Sequence, residues 1–411
     1  METNAQDINN LHVDDLDFAL PKMDMNIIKV IGVGGGGGNA VCNMFKKGIE
    51  KVSFVLCNTD DQALRDTGIP MCIQLGRDLT GGLGAGNRPE VARQAAEESL
   101  PEIEAMLRDN TRMVFITAGM GGGTGTGAAP VIAKAAHDMH ILTVGIVTIP
   151  FKFEGDSKHI QAMKGVVEMS KHVDALLIIN NEKLIDIYPD LDLLTAFEKA
   201  DDVLTRAAKG IAEIITVKGY INLDFADVYT TMKDGGVAIM NTGKGTGEKR
   251  VEKAIEDALN SPLLNNSDVY KATKVLFNIY SSQDGPLRMD EMQEINEFMA
   301  RFHHCKDVIW GATTDETLTG DEMKITLIAT GAGMDFVPQE LRRQMQTGDQ
   351  ASDGDVNPAD DEKEIEKGID QMVSSFYGGT GKLSRLSYTL ADLDNEMILA
   401  EVEQKPTYQR H

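Results

Sequence analysis

Residues 119–127 read Gly119-Met120-Gly121-Gly122-Gly123-Thr124-Gly125-Thr126-Gly127. They follow the apolar run 113–116, which is typical of a buried strand, and lead into residues 128–133, where Pro130 suits the first turn of a helix. Glycines let backbone N–H groups point into one concavity, the helix end adds partial positive charge, and Thr124 and Thr126 add hydroxyl donors. The stretch therefore predicts a phosphate-binding loop. The alternative is a flexible linker, which would not lie between an apolar strand and an apolar helix.

Two more stretches follow the same order of strand, glycine loop and helix. The first comes after the apolar strand 27–31 and reads Gly34-Gly35-Gly36-Gly37-Gly38-Asn39, before a helix that runs through Phe45. The second is the loop 80–88, with Pro89 and Glu90 in the first turn of the next helix. Ligands bind at the carboxyl ends of strands in parallel sheets, where these loops and Asn58, after the strand 52–56, should meet. The convergence of three loops, more than any one of them, predicts a ligand site.

Strands and helices alternate through residue 180, which predicts an α/β fold with a doubly wound parallel sheet. The apolar runs 141–149 and 173–179 are typical of buried parallel strands. One long helix, 194–217 with Gly219 at its end, is apolar or small along one face and is the predicted core helix between two domains. The second domain is a smaller α+β unit, with predicted helices at 249–260 and 290–302 and predicted strands at 274–280, 308–312 and 324–329.

The predicted organisation has six parts. They are a disordered acidic arm (1–24), a ligand-binding domain (25–193), the core helix (194–219), the α+β domain (220–335), a flexible acidic linker (336–384) and a C-terminal tail (385–411). In the tail, Leu386, Leu390, Leu393 and Met397 follow helical spacing. This spacing predicts an amphipathic helix that orders on a partner, with a merely disordered tail as an equal alternative.

Composition limits the functional class. A net charge of −24 over 411 residues argues against a general binder of nucleic acid or of anionic membranes, which would need the opposite sign. Four cysteines are scattered without a CxxC pair, as is typical of reduced thiols in a cytoplasmic protein, and we expect no protein-held metal site. No apolar run approaches about 18 residues, so we expect membrane association only through a partner.

The glycine loops lack the lysine of a P-loop. None of the three glycine loops contains the G-K-[ST] sequence of a P-loop. The pair Gly381-Lys382 is followed by Leu383 and lies inside the predicted linker. P-loop chemistry is therefore not expected. The backbone and a metal ion would have to offset the phosphate charge that a P-loop lysine offsets.

Three stretches together closely resemble the FtsZ family, the bacterial tubulin-like cell-division GTPases: residues 34–39, residues 119–127 and Asn222-Leu223-Asp224-Phe225-Ala226-Asp227. The resemblance covers residues 25–335, and the glycine run 119–127 is close to unique to this family. It implies a tubulin-like fold, GTP or GDP with Mg²⁺ in the N-terminal domain, and subunits stacked head to tail in a midcell division ring. It also implies membrane-tethering and regulatory division proteins as partners of the C-terminal tail, with no nucleic acid and no direct membrane insertion.

Residue by residue, the resemblance implies a nucleotide site. The cradle, mostly around the phosphates, would be Gly35, Gly36, Gly37, Asn39, Gly121, Gly122, Gly123, Thr124, Gly125 and Thr126. Near the β- and γ-phosphates it implies Asn58, Gly84, Ala85, Gly86 and Asn87. Glu154 resembles the ribose contact, and Lys158 stands where many relatives carry arginine.

The resemblance assigns the guanine base to Asn181, Phe197 and Asp201. Phe197 could stack on the base, and Asp201 could accept from its N1–H and exocyclic amine, which adenine could not satisfy. From helical spacing alone, Phe197 could equally be a residue of the core.

Asn222, Asp224 and Asp227 are the predicted catalytic residues. The carboxylates would orient the water that attacks the γ-phosphate in line, and Asn222 would help to seat the loop. They lie beyond the far end of the long helix, about 30 Å from its nucleotide end at about 1.5 Å per residue. If they act on GTP, they act on the GTP of a neighbouring subunit, and hydrolysis requires polymerisation. The alternative is a solvated loop that caps a helix.

Two other functions are considered. A Rossmann dehydrogenase would explain Gly32-Val33-Gly34-Gly35-Gly36-Gly37, with Asp60 as a loose candidate for its ribose-binding acid, but would not explain residues 119–127. A scaffold that binds nucleotide without hydrolysis is the other alternative, and the intact Asn222, Asp224 and Asp227 argue against it.

Overall fold

The computed structural model describes residues 26–49, 51–188, 190, 192–259, 269–302, 305, 307–331, 368–369 and 371–373. The predicted arm (1–24), most of the predicted linker and the whole predicted tail lie outside the described residues, including the helix expected around Leu386–Met397.

Six parallel strands form the N-terminal half of the sheet, in the order β3-β2-β1-β4-β5-β6. They are β1 (Ile28–Val33), β2 (Val52–Asn58), β3 (Met71–Gln74), β4 (Met113–Gly119), β5 (Leu142–Ile149) and β6 (Ala175–Asn180). Strands β1 and β5 are buried along their whole length because helices cover both faces. The predicted doubly wound parallel sheet is confirmed.

Each face of this sheet has its own helical layer and apolar cluster. One layer consists of α3 (Pro89–Glu98), α4 (Leu100–Leu107), α5 (Gly123–Asp138) and α6 (Asp156–Ser170), with the short α2 (Arg77–Thr80) in the connection before it. The opposite layer consists of α1 (Gly34–Lys46) and the long α8 (Leu193–Thr216), preceded by α7 (Glu182–Ile187). The long helix predicted at 194–217 is thus confirmed within one residue at each end, and it ends three residues before the predicted boundary at 219.

The C-terminal half continues the same sheet. Its elements are α9 (Phe225–Met232), β7 (Gly236–Gly245), α10 (Arg250–Leu259), β8 (Lys274–Ser281), α11 (Met292–Met299), β9 (Asp307–Thr314) and β10 (Met323–Thr330). The order β7-β10-β8-β9 follows β6, so the described strands form one ten-stranded sheet. Helix α11 is shorter than the predicted 290–302 helix.

Strand β7 is missing from the sequence-based prediction. Its sequence, GVAIMNTGKG, has too many glycines and polar residues to read as a buried strand. The glycines are present because α10 packs directly on β7: a Cβ at Gly243 would overlap the carbonyl oxygen of Ala254, and one at Gly245 would overlap that of Arg250. The packing of α10 on β7 therefore explains the glycines of this strand, and the pattern of a single sequence does not reveal that packing.

The two halves of the sheet meet at a narrow ladder. Strand β6 pairs with β7 at only three positions, from Ala175 opposite Gly236 to Leu177 opposite Ala238. Beside this ladder the buried Asp174 accepts hydrogen bonds from Lys233 Nζ at 2.5 Å and from the Thr143 N–H at 2.8 Å. The Asp174 carbonyl also accepts from the N–H of Gly236 at 3.0 Å. One buried carboxylate therefore connects β5, β6 and the segment that enters β7.

Two predicted loop-to-helix boundaries are wrong. Helix α1 begins at Gly34 and α5 at Gly123, so most of each glycine run forms the first turns of a helix rather than a loop. Pro130 consequently lies inside α5 instead of in its first turn, and its missing N–H leaves the Thr126 carbonyl without its helical donor. The low helix propensity of glycine favours loops at these positions, but the stability gained from close packing on the strands outweighs it.

Part of the predicted flexible linker is helical and packed. Residues 368–369 and 371–373 have helical backbone, and Ile369 and Met372 belong to the apolar cluster of the α3–α6 layer. The prediction of a linker without structure from 336 to 384 is therefore wrong for these residues. Their acidic surroundings in the sequence concealed a short apolar stripe.

Close packing of α1 on β4 predicts opposite effects for two adjacent glycines. A Cβ at Gly37 would overlap the Thr117 carbonyl oxygen, whereas a Cβ at Gly38 would have Leu56 Cδ2 as its nearest neighbour at 3.9 Å. We expect Gly37→Ala to destabilise the fold by about 1–3 kcal/mol through overpacking. Gly38→Ala should be neutral or stabilise by up to about 1 kcal/mol through helix propensity. Thermal unfolding of the two variants measures this; equal melting temperatures would contradict the packing account.

Candidate functional site

Two helix N-termini lie side by side at the carboxyl edge of the sheet. Strands β1 and β4 are parallel neighbours, with Val33 opposite Ala118, and α1 and α5 begin just after them. The two helix starts are in close contact, since a Cβ at Gly34 would lie 2.9 Å from the backbone nitrogen of Gly125. Both helices therefore direct unpaired N–H groups and the positive ends of their dipoles at one place, which is the requirement for binding an anion.

The turn between β4 and α5 is fixed by side chains. The N–H of Gly121 donates to Thr126 Oγ1 at 2.9 Å. Gln161 Nε2, from α6, donates to the carbonyl oxygens of Gly121 at 3.0 Å and Gly122 at 2.9 Å. Gly121 has φ +99°, a conformation that side-chain residues rarely adopt. The carbonyls of the turn are thus held by α6, and they do not compete with the N–H groups for the concavity.

Gln161 is a residue that the sequence analysis missed. In a single sequence, nothing distinguishes a glutamine that binds a turn from the other polar residues of an amphipathic helix. Only the contact between α6 and the turn reveals its role.

The third glycine loop lies beside this turn, as predicted. The Thr59 and Thr124 hydroxyls are 2.8 Å apart, and the N–H of Gly84 donates to the Thr59 carbonyl at 3.2 Å. Asn58 is buried and accepts from the N–H of Asp60 at 3.2 Å. A Cβ at Gly123 would lie 3.1 Å from the Asn87 Cα, so the loop also contacts the start of α5. Asn58, the loop 84–87 and the turn 121–126 are therefore brought together.

The predicted cradle residues divide into two groups by exposure. Those exposed or partly exposed are Gly35, Gly36, Asn39, Gly84, Gly86, Asn87, Gly122 and Thr124. Others are buried by packing: Gly37 against Thr117 and Gly125 against the Gly119 carbonyl. Thr126 is also buried, and its hydroxyl oxygen holds the turn by accepting from the N–H of Gly121; its role as a donor to a ligand stays a prediction. Motif membership does not separate residues that face a ligand from those that permit close packing.

An aromatic group and a buried amide form a second part of the site. Phe151 is fully buried, and Phe197 contacts its ring edge at 5.2 Å between centroids, with an angle of 86° between planes. Phe197 is itself 39% exposed, so it is not simply a core residue. Asn181 is only 5% exposed, and its Oδ1 has no hydrogen-bond partner among the described residues. A buried acceptor without a donor is costly, which indicates a ligand group that donates to it.

Asp201 lies near the start of α8, four residues beyond Phe197. Burial, reinforced by the neighbouring Asp202 and Glu198, raises the pKa of Asp201 to about 7. Asp202 differs, because Asn43 Nδ2 at 2.9 Å and Lys47 Nζ at 2.5 Å donate to it. No cation among the described residues offsets this shift, and the ionised form of Asp201 is suited to accept N–H donors from a neutral ring.

Glu154 and Lys158 contact each other. Glu154 Oε1 accepts from the N–H of Phe151 at 2.9 Å, and Lys158 Nζ donates to Glu154 Oε2 at 3.1 Å. The Lys158 carbonyl lies close to Gly121, where an added Cβ would be 2.9 Å from it. These two residues thus connect the aromatic group to the turn 119–122, but whether they contact a ribose stays a prediction.

The acidic loop forms a capping box at the start of α9. Asp224 Oδ1 accepts from the N–H of Asp227 at 3.0 Å, and Asp227 Oδ2 accepts from the N–H of Asp224 at 2.9 Å. Asn222 Oδ1 accepts from the N–H of Gly219 at 2.9 Å, which holds the loop as predicted. Glycine is required at position 219 because a Cβ there would overlap the Ala312 carbonyl. It does not cap α8, whose C-cap residue is Val217. The helix-capping alternative is thus correct as a description of the loop, and Asp224 remains exposed.

Helix α8 separates this loop from the anion site. The 24 residues of α8 span about 36 Å at 1.5 Å per residue. Phe197 and Asp201 lie in its first half, whereas Asn222 and Asp224 follow its last residue, Thr216. The structure does not bring the predicted catalytic residues to the predicted nucleotide residues within one chain.

Known proteins share both halves of the chain. Residues 27–189 match the GTPase domain of the Tubulin/FtsZ family, and residues 236–333 match the C-terminal domain of the FtsZ family. The cell division protein FtsZ of Porphyromonas gingivalis is 52% identical over 393 residues, 93% of this chain and 85% of that protein. This chain belongs to the FtsZ family. The resemblance seen in the sequence is confirmed, and the chain is a GTPase; the dehydrogenase alternative is wrong.

Other members and solved structures agree. FtsZ of Wigglesworthia glossinidia brevipalpis is 47% identical over 313 residues, 76% of this chain and 81% of that protein. A solved FtsZ dimer of M. jannaschii is 42% identical, covers 74% of this chain and 88% of that chain, and has a TM-score of 0.68. CetZ2 of Haloferax volcanii, 18% identical with a TM-score of 0.65 over 82% of this chain and 99% of that chain, shares the fold.

Two further findings concern membrane-spanning helices and groups of metal ligands. In the part of the chain that the structure describes, no helix is long and apolar enough to cross a membrane. Within the same part, no three His, Cys, Asp or Glu residues are grouped so that they could hold a metal ion.

The two hydrogen bonds of Gln161 predict a measurable effect on the turn. Gln161→Leu keeps the size of the side chain but removes both donors to the Gly121 and Gly122 carbonyls. We expect a stability loss of about 1–3 kcal/mol, since two carbonyls lose a donor, and weaker GTP binding. The control is Lys164→Leu, one turn further along α6. Thermal unfolding and GTP titration measure both, and a Gln161→Leu variant with unchanged GTP affinity would contradict the proposed role of the turn.

Proposed function

We propose that the chain binds GTP with its phosphates at the joined N-termini of α1 and α5. The observation that supports this most is the contact between Gly34 and Gly125, which aims two helix dipoles at one point. Because the described loops place no lysine of a P-loop there, backbone N–H groups supply most of the donors. The exposed Gly35 and the partly exposed Gly122 and Thr124 would lie nearest to the phosphates.

The guanine base would lie between Phe197 and Asn181. Phe197 offers an exposed ring to stack on, and the unpaired Oδ1 of Asn181 can accept from an exocyclic amine. Asp201, as a carboxylate, would accept from N1–H and the amine together. Adenine presents an acceptor at N1 and would leave the carboxylate unpaired, so these residues would select guanine.

Mg²⁺ would accompany the nucleotide. The absence of a ligand cluster in the described part of the chain fits an ion held mainly by phosphate oxygens and water, as is usual for Mg²⁺. When bound, the ion would neutralise phosphate charge during transfer to water.

Hydrolysis would use the acidic loop of a second subunit. From Phe197 to Thr216, about 28 Å of helix separates the predicted base site from the start of this loop in the same chain. Head-to-tail stacking would bring Asp224 and Asp227 of one chain to the γ-phosphate of the next, where the carboxylates would orient the attacking water. An exposed Asp224 at the end of the molecule opposite the nucleotide supports this arrangement.

In the cell, the chain would act as the division GTPase of its organism. Curated relatives are named cell division proteins, and one solved relative is an FtsZ dimer. We propose head-to-tail filaments in a midcell ring in the cytoplasm, with tethering and regulatory division proteins on the tail 385–411. Within that assembly, residues 25–193 would bind GTP and residues 220–335 would supply the acidic loop.

The capping box suggests a variant that separates capping from catalysis. Asp227→Asn retains a side-chain oxygen that can accept from the Asp224 N–H, but loses the negative charge. If the charge orients water, turnover should fall at least about 100-fold with unchanged GTP affinity and melting temperature. Phosphate release, measured with ATP as a control, tests this. Normal turnover would mean that the carboxylate only caps α9.

Mixing two inactive variants tests whether the loop acts on a neighbour. Asp201→Asn should bind GTP much more weakly, so that it stays empty and inactive at a GTP concentration that fills Asp227→Asn, but it keeps an intact acidic loop. Asp227→Asn binds GTP and lacks that loop charge. We expect phosphate release to reappear in the mixture, because a hybrid contact contains one intact half from each chain. A mixture as inactive as its components would place both halves of the active site in one chain.

The raised pKa of Asp201 predicts a pH dependence of GTP binding. Below about pH 7 the free protein holds a proton on Asp201, and this proton must leave before guanine can donate to the carboxylate. From pH 8 to pH 6, the GTP affinity of the unmodified protein should therefore fall about tenfold more than the GTP affinity of Asp201→Asn falls over the same range. The variant corrects for titration of the phosphates. Identical pH profiles would remove Asp201 from the base site.

A further inference from the structure

Residues 368–369 and 371–373, here called the segment 368–373, have helical backbone where the sequence predicts a flexible linker. Of its described residues, Ile369 is 2% exposed and Met372 is 0% exposed, while Gln371 is exposed. A methionine with no exposed surface must be enclosed by other side chains on every side. Chance proximity of a loose chain would not bury Ile369 and Met372 while it left Gln371 exposed.

The side chains that enclose the segment belong to the GTPase domain. Ile369 and Met372 are members of the apolar cluster of the α3–α6 layer, and Val373 packs against it. That layer has partly exposed apolar residues on its helices, namely Leu100, Val131, Met139 and Ile160. Spacings of three and four place Ile369, Met372 and Val373 on one side of a helix and Gln371 on the other.

We propose that residues 368–373 are a docking segment that binds the α3–α6 layer of the same chain through Ile369, Met372 and Val373. The chain after Val373 is then tethered at the surface of the GTPase domain, and not at the end of β10 at Thr330. The occupant of this apolar surface is the segment itself, because its own side chains are the ones buried there. The proposal does not depend on nucleotide binding or on filament formation.

Docking sets the span available to the C-terminal tail. From Thr330 to residue 411 there are 81 residues, which could span at most about 280 Å fully extended. From Val373 there are 38 residues, which could span at most about 130 Å. A partner that binds the tail is therefore held closer to the GTPase domain when the segment is docked than when it is free.

The contact is small enough to be reversible. Burial of two large apolar side chains outweighs the ordering of a short stretch of backbone by a small margin, so the docked form predominates without being permanent. The docked and free forms should exchange, and a reagent that reports average exposure will detect the balance.

Methionine oxidation in the intact protein tests the proposal. Dilute hydrogen peroxide converts accessible methionine to the sulfoxide, and mass spectrometry of peptides gives the rate at each position. Met289, 86% exposed, is the internal reference for a free side chain, and Met44, 0% exposed, is the reference for the folded core. We expect Met372 to react at least about tenfold more slowly than Met289 because the docked form predominates.

Two variants complete the test. Ile369→Asp places a charge in the contact and should raise the Met372 rate to that of Met289 while Met44 stays protected. Gln371→Asp adds the same charge on the exposed side and should leave Met372 slow. The proposal is overturned if Met372 reacts as fast as Met289 in the unmodified protein, or if Ile369→Asp leaves it slow. It is also overturned if Ile369→Asp exposes Met44, since the segment would then be part of the folding core.

Discussion

The structure depends on backbone contact between α1, α5 and the strands beneath them. Gly34, Gly37 and Gly125 all lie where a single added carbon would meet backbone of a neighbouring element. Glycine has low helix propensity, so these helices begin with residues that cost stability locally. Tertiary contact offsets that cost, and the same close approach lets two dipoles act on one ligand. Fold and phosphate site therefore have a common origin.

Sequence reasoning found the features that repeat along the chain. Parallel strands, the long core helix and the meeting of three glycine loops all follow from periodicity and from the rule that parallel strands end at one edge. It failed where tertiary packing overrides local preference. Strand β7 was obscured by Gly243 and Gly245, and the helical start at Gly123 by glycine content. Ile369 and Met372 lie in an acidic stretch whose average composition conceals them.

The same limit applies to the site. Motifs single out Asn58 and Thr124 together with Gly37 and Gly125, but the structure shows that Gly37 and Gly125 are placed by close packing on neighbouring backbone. Gln161 belongs to no motif and yet holds the carbonyls of the phosphate turn. For the acidic loop, both interpretations survive in one geometry, since a capping box fixes Asp224 and Asp227 while leaving Asp224 exposed.

The ladder between β6 and β7 has a mechanical consequence. Three residue pairs and the Asp174–Lys233 ion pair join the sheet halves, whereas β10 pairs with β7 at eight positions, so bending stress concentrates at the weakest row. A load that bends the sheet would act on this row and on the side chains that pack across it. The long helix α8, anchored by apolar residues in the cluster beneath it, is a parallel strut that shares the load. That cluster includes residues of both halves, such as Leu177 and Leu276, so helix packing and the three-pair ladder together hold the halves in one sheet.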